Sequence, residues 1–132
     1  MVFNLTAKNI SPIFKVLSFN DDIQGTGSVT LAGILTALRL QPEGKRLLKD
    51  NTVLFDGCGS AAIGCADALV AGMKEEGLTE EEAKKRIYFV DTKGLVTRTR
   101  GGEFQSHKGR YVREGDPAIT GLEKIVELEI FS

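Results

Sequence analysis

The stretch Val53-Leu54-Phe55-Asp56-Gly57-Cys58-Gly59-Ser60-Ala61-Ala62-Ile63-Gly64 decides how this chain folds. An apolar run meets a glycine-rich turn, and small residues follow. This is the pattern of a β-strand, a phosphate-binding turn and a helix N-terminus. Gly57 permits a tight reversal. Gly59 allows backbone to approach a pyrophosphate, and Ala62 lets the helix lie close on the strand. The first amides of such a helix have no partner within it, so they and the helix dipole can hold an anion. A glycine turn after a strand is also common as plain structure, so the neighbouring segments have to decide between the two.

The neighbours read as alternating strands and helices. Residues 52–56 form a strand whose apolar run predicts burial on both faces, as in a parallel sheet. The helix over residues 60–76 carries Ala61, Ala62, Ile63, Cys65, Ala66, Leu69, Val70 and Met73, with Gly77 as its terminator. Thr79-Glu80-Glu81-Glu82 matches a capping box opening a short helix with acids first and bases last. Ile87-Tyr88-Phe89-Val90 is a second strand and ends at Asp91. An acid there is where a dinucleotide fold grips ribose hydroxyls. Its distance from Gly59 is 91 − 59 = 32 residues, against a usual spacing of roughly 20; the added helix accounts for the excess. Asp91 equally suits the opening of the turn Asp91-Thr92-Lys93-Gly94, with a short strand at 95–97 completing a hairpin.

Upstream, residues 29–40 predict a helix with a broad apolar face (Val29, Leu31, Ala32, Ile34, Leu35, Leu38), expected to lie buried against a sheet. It is preceded by FNDDIQGTG, residues 19–27. The adjacent carboxylates Asp21 and Asp22 repel each other and belong in solvent or near a cation. Two readings stay open: a polar loop in which Thr26 or Ser28 caps the helix, or a carboxylate ligand for a hard divalent cation. Residues 45–50 read as a helical turn or loop. Residues 98–115 read as a polar surface loop, locally cationic through Arg98, Arg100, Lys108, Arg110 and Arg113. Most of these are expected to be solvated, and one could meet a 2′-phosphate. His107 reads as an exposed loop residue. Residues 122–128 predict a final helix. Residues 1–18 are an unassigned lead-in.

Composition narrows the function. The 132 residues suit one domain. The balance of 17 basic and 18 acidic residues gives a net charge of −1, which favours neither nucleic acid nor an anionic membrane. No apolar run reaches membrane-spanning length, and the first residues lack a clear leader pattern, so the expected setting is intracellular. Cys58 and Cys65 are too few for a disulfide scaffold and read as small packing residues. One histidine without a cysteine cluster gives no zinc pattern.

Three segments in this order, FNDDIQGTGSVTLAGILTALRL, VLFDGCGSAAIGCADALV and EEGLTEEEAKKRIYFVDTKGLV, closely resemble the malic enzymes, the decarboxylating malate dehydrogenases. The resemblance runs over residues 19–96, and more faintly to residue 126. FNDDIQGT is specific to that family; the glycine turn is not. The fold this implies is α/β: a partial Rossmann-type, doubly wound dinucleotide-binding domain over residues 19–132, with a short parallel sheet flanked by helices. The activity implied is oxidative decarboxylation of malate to pyruvate with NADP or NAD and with Mg²⁺ or Mn²⁺. The residues carried over are Asp22 as a metal ligand and Asp21 as the acid beside the catalytic lysine. Thr26, Gly57, Cys58, Gly59, Ser60, Ala61, Ala62, Asp91 and Lys108 are carried over as cofactor-binding.

Two departures qualify the resemblance. Family members usually carry an acid where Ser60 stands. Thr92 after Asp91, with Lys108 near a 2′-phosphate position, leans the cofactor towards NADP. The catalytic tyrosine and lysine and the Glu-Asp pair of the metal site have no counterpart in these residues. The chain therefore looks like a piece of a malic enzyme, a homo-oligomer in the complete form, cytoplasmic with mitochondrion or plastid open. On its own it is expected to be inactive and marginally stable or self-associating. The alternative is a non-catalytic nucleotide-binding or interaction module.

Overall fold

The computed structural model describes residues 19–42, 46–101 and 109–127. The lead-in at 1–18, His107 and Lys108 lie outside the described residues. The elements run α1 (Thr26–Leu38), β1 (Val53–Asp56), α2 (Ser60–Glu75), α3 (Glu80–Lys84), β2 (Ile87–Asp91), β3 (Gly94–Leu95) and α4 (Leu122–Val126), joined in places by 3₁₀ turns. The sheet order is β1-β2-β3. β1 and β2 are parallel, with Val53 opposite Ile87 and Asp56 opposite Val90. β3 returns antiparallel, with Asp91 opposite Gly94. The sheet is therefore mixed, its parallel pair being the one expected.

Alternation along the strands sorts side chains onto two faces. Ile87 and Phe89 face α2, joining Leu48, Ile63, Ala66, Leu69, Met73 and Tyr111 in the larger core; Val53 and Phe55 pack against it. Phe55 and Phe89 stack across the strands with ring centroids 4.9 Å apart. Tyr88 and Val90 face the other way, with Leu95 and Ile125 of α4. Helices thus cover both faces.

The helix ends follow the local chemistry. Gly77 takes a φ of +101°. Its amide donates to the Lys74 carbonyl, and that of Leu78 donates to the Met73 carbonyl, which is the Schellman closure of α2. The capping box forms as read: the Glu82 amide donates to Thr79, and the Thr79 amide donates to the Glu82 carboxylate at 2.8 Å. The hydrogen bonds from Thr79 hold the Glu82 carboxyl below its usual range.

Four expectations need correction. Residues 21–25 are not a loop but a π-helical turn continuous with α1. Its N-cap is Asn20, whose side chain accepts from the Ile23 amide at 3.2 Å, while Gln24 reaches back to the Asn20 amide. Thr26 and Ser28 lie inside the helix, and their hydroxyls donate to the Asp21 and Gln24 carbonyls. Secondly, α1 packs on α2 rather than on the sheet, which leaves apolar side chains outside: Val29 is 74% exposed and Leu35 41%. Thirdly, β1 is only half-buried, because among the described residues it pairs on one side only. Fourthly, part of the basic segment after β3 is folded in: among the described residues Arg98 and Arg110 are exposed as expected, whereas Arg100 and Arg113 are mostly buried. Thr97 and Tyr111 are buried, Thr97 bridges to Arg113, and Arg113 lies over the Tyr88 ring at 3.8 Å and pairs with Asp116.

Candidate functional site

The carboxyl ends of β1 and β2 lie side by side, as their register requires. The turn leaving β1 is tied to β2 by the Gly57 amide, which donates to the Val90 carbonyl at 2.9 Å. Gly57 has a φ of +116°, where a side chain would be strained. A Cβ at Gly59 would meet nothing within 4 Å, so the backbone there faces open space. Gly59 is the N-cap of α2 and offers no side-chain cap. The leading amides of a 16-residue helix are therefore presented at an open turn, beside the end of β2. This is the geometry that receives a pyrophosphate. Ser60 and Ala61 begin the helix, and Ala62 packs against the core. Cys58 is buried and joins the larger core. Cys65 is buried too, its Sγ 3.3 Å from the Thr30 hydroxyl, in keeping with packing.

The acid pair is brought to this turn by a backbone seam. A Cβ on Gly64 would lie 2.5 Å from the Ile23 carbonyl oxygen, and one on Gly27 would lie 2.8 Å from the Gly64 carbonyl oxygen. Only glycine at both places lets the π-helical turn and α2 meet so closely. The result places Asp22 at the N-terminus of α2, where its Oδ2 accepts the Ser60 hydroxyl at 2.7 Å. Asp21 instead folds over Gly25 of its own turn. The two carboxylates thus diverge. Among the described residues no three of His, Cys, Asp or Glu come together as a metal set. A hard cation takes six or more oxygen ligands, so these residues do not make a cation site by themselves.

Asp91 ends β2 and is held from two sides. Its Oδ1 accepts the Lys93 amide at 2.9 Å, opening the hairpin. Arg100 grips it through two parallel bonds, Nη1 to Oδ1 and Nη2 to Oδ2, each 2.8 Å. Nη1 of Arg100 also reaches the Gly94 and Leu95 carbonyls. Both side chains are mostly buried, at 13% and 15% exposed. The structure therefore gathers Asp22, Gly57, Gly59, Ser60 and Ala61 around one turn, with Asp91 on the neighbouring strand end. Thr26 sits one helical turn away in α1, its hydroxyl engaged with Asp21.

Sequence reading missed Gly64, Gly27 and Arg100. The glycine pair carries a weak signal, small residues inside two helices; Arg100 carries none, because its partner is met only through the hairpin.

A family description, malic enzyme NAD-binding domain, matches residues 23–129. The chain belongs to the malic enzyme family. An NADP-dependent malic enzyme of Dictyostelium discoideum is 49% identical over 100 residues, covering 76% of this chain and 18% of the relative. The NADP-dependent malic enzyme of Mus musculus is 52% identical over 113 residues, covering 86% and 19%. A mitochondrial NADP-dependent malic enzyme of the same organism is 41% identical over 114 residues, covering 86% and 18%. The chain thus spans about a fifth of the length of these malic enzymes. The match begins at Ile23 and takes in the turn, both parallel strands and the Asp91 hairpin. Among the described residues no helix is long and apolar enough to cross a membrane.

Proposed function

We propose that this chain forms the dinucleotide-binding cradle of an NADP-dependent malic enzyme, over residues 19–132. The observation that carries it is the open, uncapped N-terminus of α2 at Gly57–Ala61, set beside the end of β2 by the parallel register. The backbone there binds a pyrophosphate, and the bound dinucleotide supplies a hydride acceptor. Asp91 and Lys108 serve the adenine-ribose side. Arg100 neutralises Asp91, which lowers the repulsion a 2′-phosphate would meet and supports NADP over NAD. The names of the relatives point the same way.

The reaction of the complete enzyme is oxidative decarboxylation of malate to pyruvate, with Asp22 as one cation ligand of several and Asp21 near the proton-transfer machinery. The described residues do not complete the cation set, so this chain alone binds NADP without turning malate over. Exposed Phe19, Val29 and Leu40 and the side of β1 that no strand covers among the described residues favour self-association, and an intracellular setting fits two buried cysteines.

Titrating the purified chain with NADP and NAD by calorimetry tests the reading. Saturable binding with NADP the tighter ligand supports it. Binding of neither, or metal-dependent NADPH production from malate by this chain alone, refutes it.

A further inference from the structure

A serine hydroxyl has one hydrogen to donate. That of Ser60 goes to Oδ2 of Asp22, 38 residues away in the chain, at 2.7 Å. Ser60 is the first residue of α2. Asp22 belongs to the turn that Gly64 holds against the same helix. A solvent-exposed carboxylate therefore sits at the positive end of the helix that would take the pyrophosphate, held there by one hydrogen bond. Its negative charge opposes that of the incoming phosphates. While it accepts from Ser60, the hydroxyl has no hydrogen left for a phosphate oxygen.

We infer that Ser60 is a positioning residue that ties Asp22 to the dinucleotide turn, and that Asp22 restrains dinucleotide affinity through it. The inference rests on the dinucleotide reading given above. Ser60 donates in one of two directions: inward to Asp22, or outward to the ligand. Removing the carboxylate both lifts the repulsion and frees the hydroxyl.

The test is a double-mutant cycle on NADP binding, measured by calorimetry with chelator present, with circular dichroism confirming that each variant folds. Asp22→Ala is expected to bind NADP about 3- to 10-fold more tightly than the unaltered chain, and added salt should narrow the gap. Ser60→Ala reverses part of that gain in the Asp22→Ala background and has a smaller effect in the unaltered chain, where the hydroxyl is already engaged by Asp22. Ser60→Thr keeps the hydroxyl and restores the behaviour of serine. If Asp22→Ala does not fold, Asp22→Asn is measured in its place. The inference is overturned if loss of the Asp22 carboxylate brings no tightening, or if Ser60→Ala weakens binding equally in both backgrounds. Should the unaltered chain and every variant fail to bind NADP, the dinucleotide reading fails and this inference fails with it. NADP binding with no difference among the variants overturns this inference alone.

Discussion

Gly64→Ala probes the seam that brings Asp22 to the turn. In an exposed helix interior the change would help, because alanine is favoured over glycine by about 1 kcal/mol. At Gly64 the new methyl lies 2.5 Å from the Ile23 carbonyl oxygen and 2.8 Å from its Cα. Carbon and carbonyl oxygen rest at roughly 3.3–3.6 Å, so the two helical segments must part by about 1 Å. The obstruction is backbone, which cannot rotate away as a side chain would. Overpacking of this kind costs about 1–3 kcal/mol, or more where backbone must move. Set against the propensity gain, the net loss is about 0–2 kcal/mol, at the upper end because the obstruction is backbone. Gly33→Ala is the matched control, since a Cβ there meets nothing within 4 Å; it should gain up to about 1 kcal/mol. Urea unfolding followed by far-ultraviolet circular dichroism separates the two variants. The midpoint of Gly64→Ala should fall and that of Gly33→Ala should rise. If Gly64→Ala proves as stable as Gly33→Ala, the seam is not close-packed and the placement of Asp22 loses its basis.

Other substitutions report on the remaining contacts. Arg100→Ala takes the cation away from the mostly buried Asp91 carboxylate and should cost about 3 kcal/mol in the same assay. Thr79→Ala removes one half of the capping box and should cost about 1 kcal/mol. Because Glu82 titrates below its usual value of 4.5 in the folded chain, the unfolded chain binds more protons as pH falls through that range. The capping contribution is therefore intact at neutral pH and lost on acidification below about 4.5, and Thr79→Ala should flatten that part of the stability profile. Tyr111 behaves oppositely. Burial, with the Asp67 carboxylate at 2.8 Å beside its hydroxyl, raises its phenol well above the usual 10. Above pH 10 the unfolded chain releases a proton that the folded one keeps, so stability should fall as pH rises. Tyr111→Phe keeps the ring contact with Phe89, loses about 1 kcal/mol with the hydrogen bond, and should remove that alkaline loss.

The legible parts of this fold were those whose cause is local. Strand, glycine turn and helix at 53–75, the capping box at Thr79 and the terminator at Gly77 each rest on a few adjacent residues. So does the ending of β2 at Asp91. The illegible parts depend on what the chain meets elsewhere. Residues 21–25 hold enough polar residues and glycine to read as a loop, yet Asn20 caps them into a helix that α2 supports. The apolar stripe of α1 showed that the helix packs, but not that its neighbour is another helix. Arg100 and Arg113 look like surface cations until the hairpin folds them back onto Asp91 and Tyr88. Around the turn, the positions of Gly57, Gly59 and the strand end at Asp91 were legible as local structure; the contact between Ser60 and Asp22 was not, because it spans 38 residues.

The paired glycines also bear on how motion travels in this molecule. Where helices meet through long side chains, rotamer changes absorb small displacements. Here main chain lies on main chain, and there is little compliance to take up slack. The π-helical turn and the start of α2 are keyed together like a shaft and its collar. A displacement of the start of α2 would therefore move the turn that carries Asp22 with it.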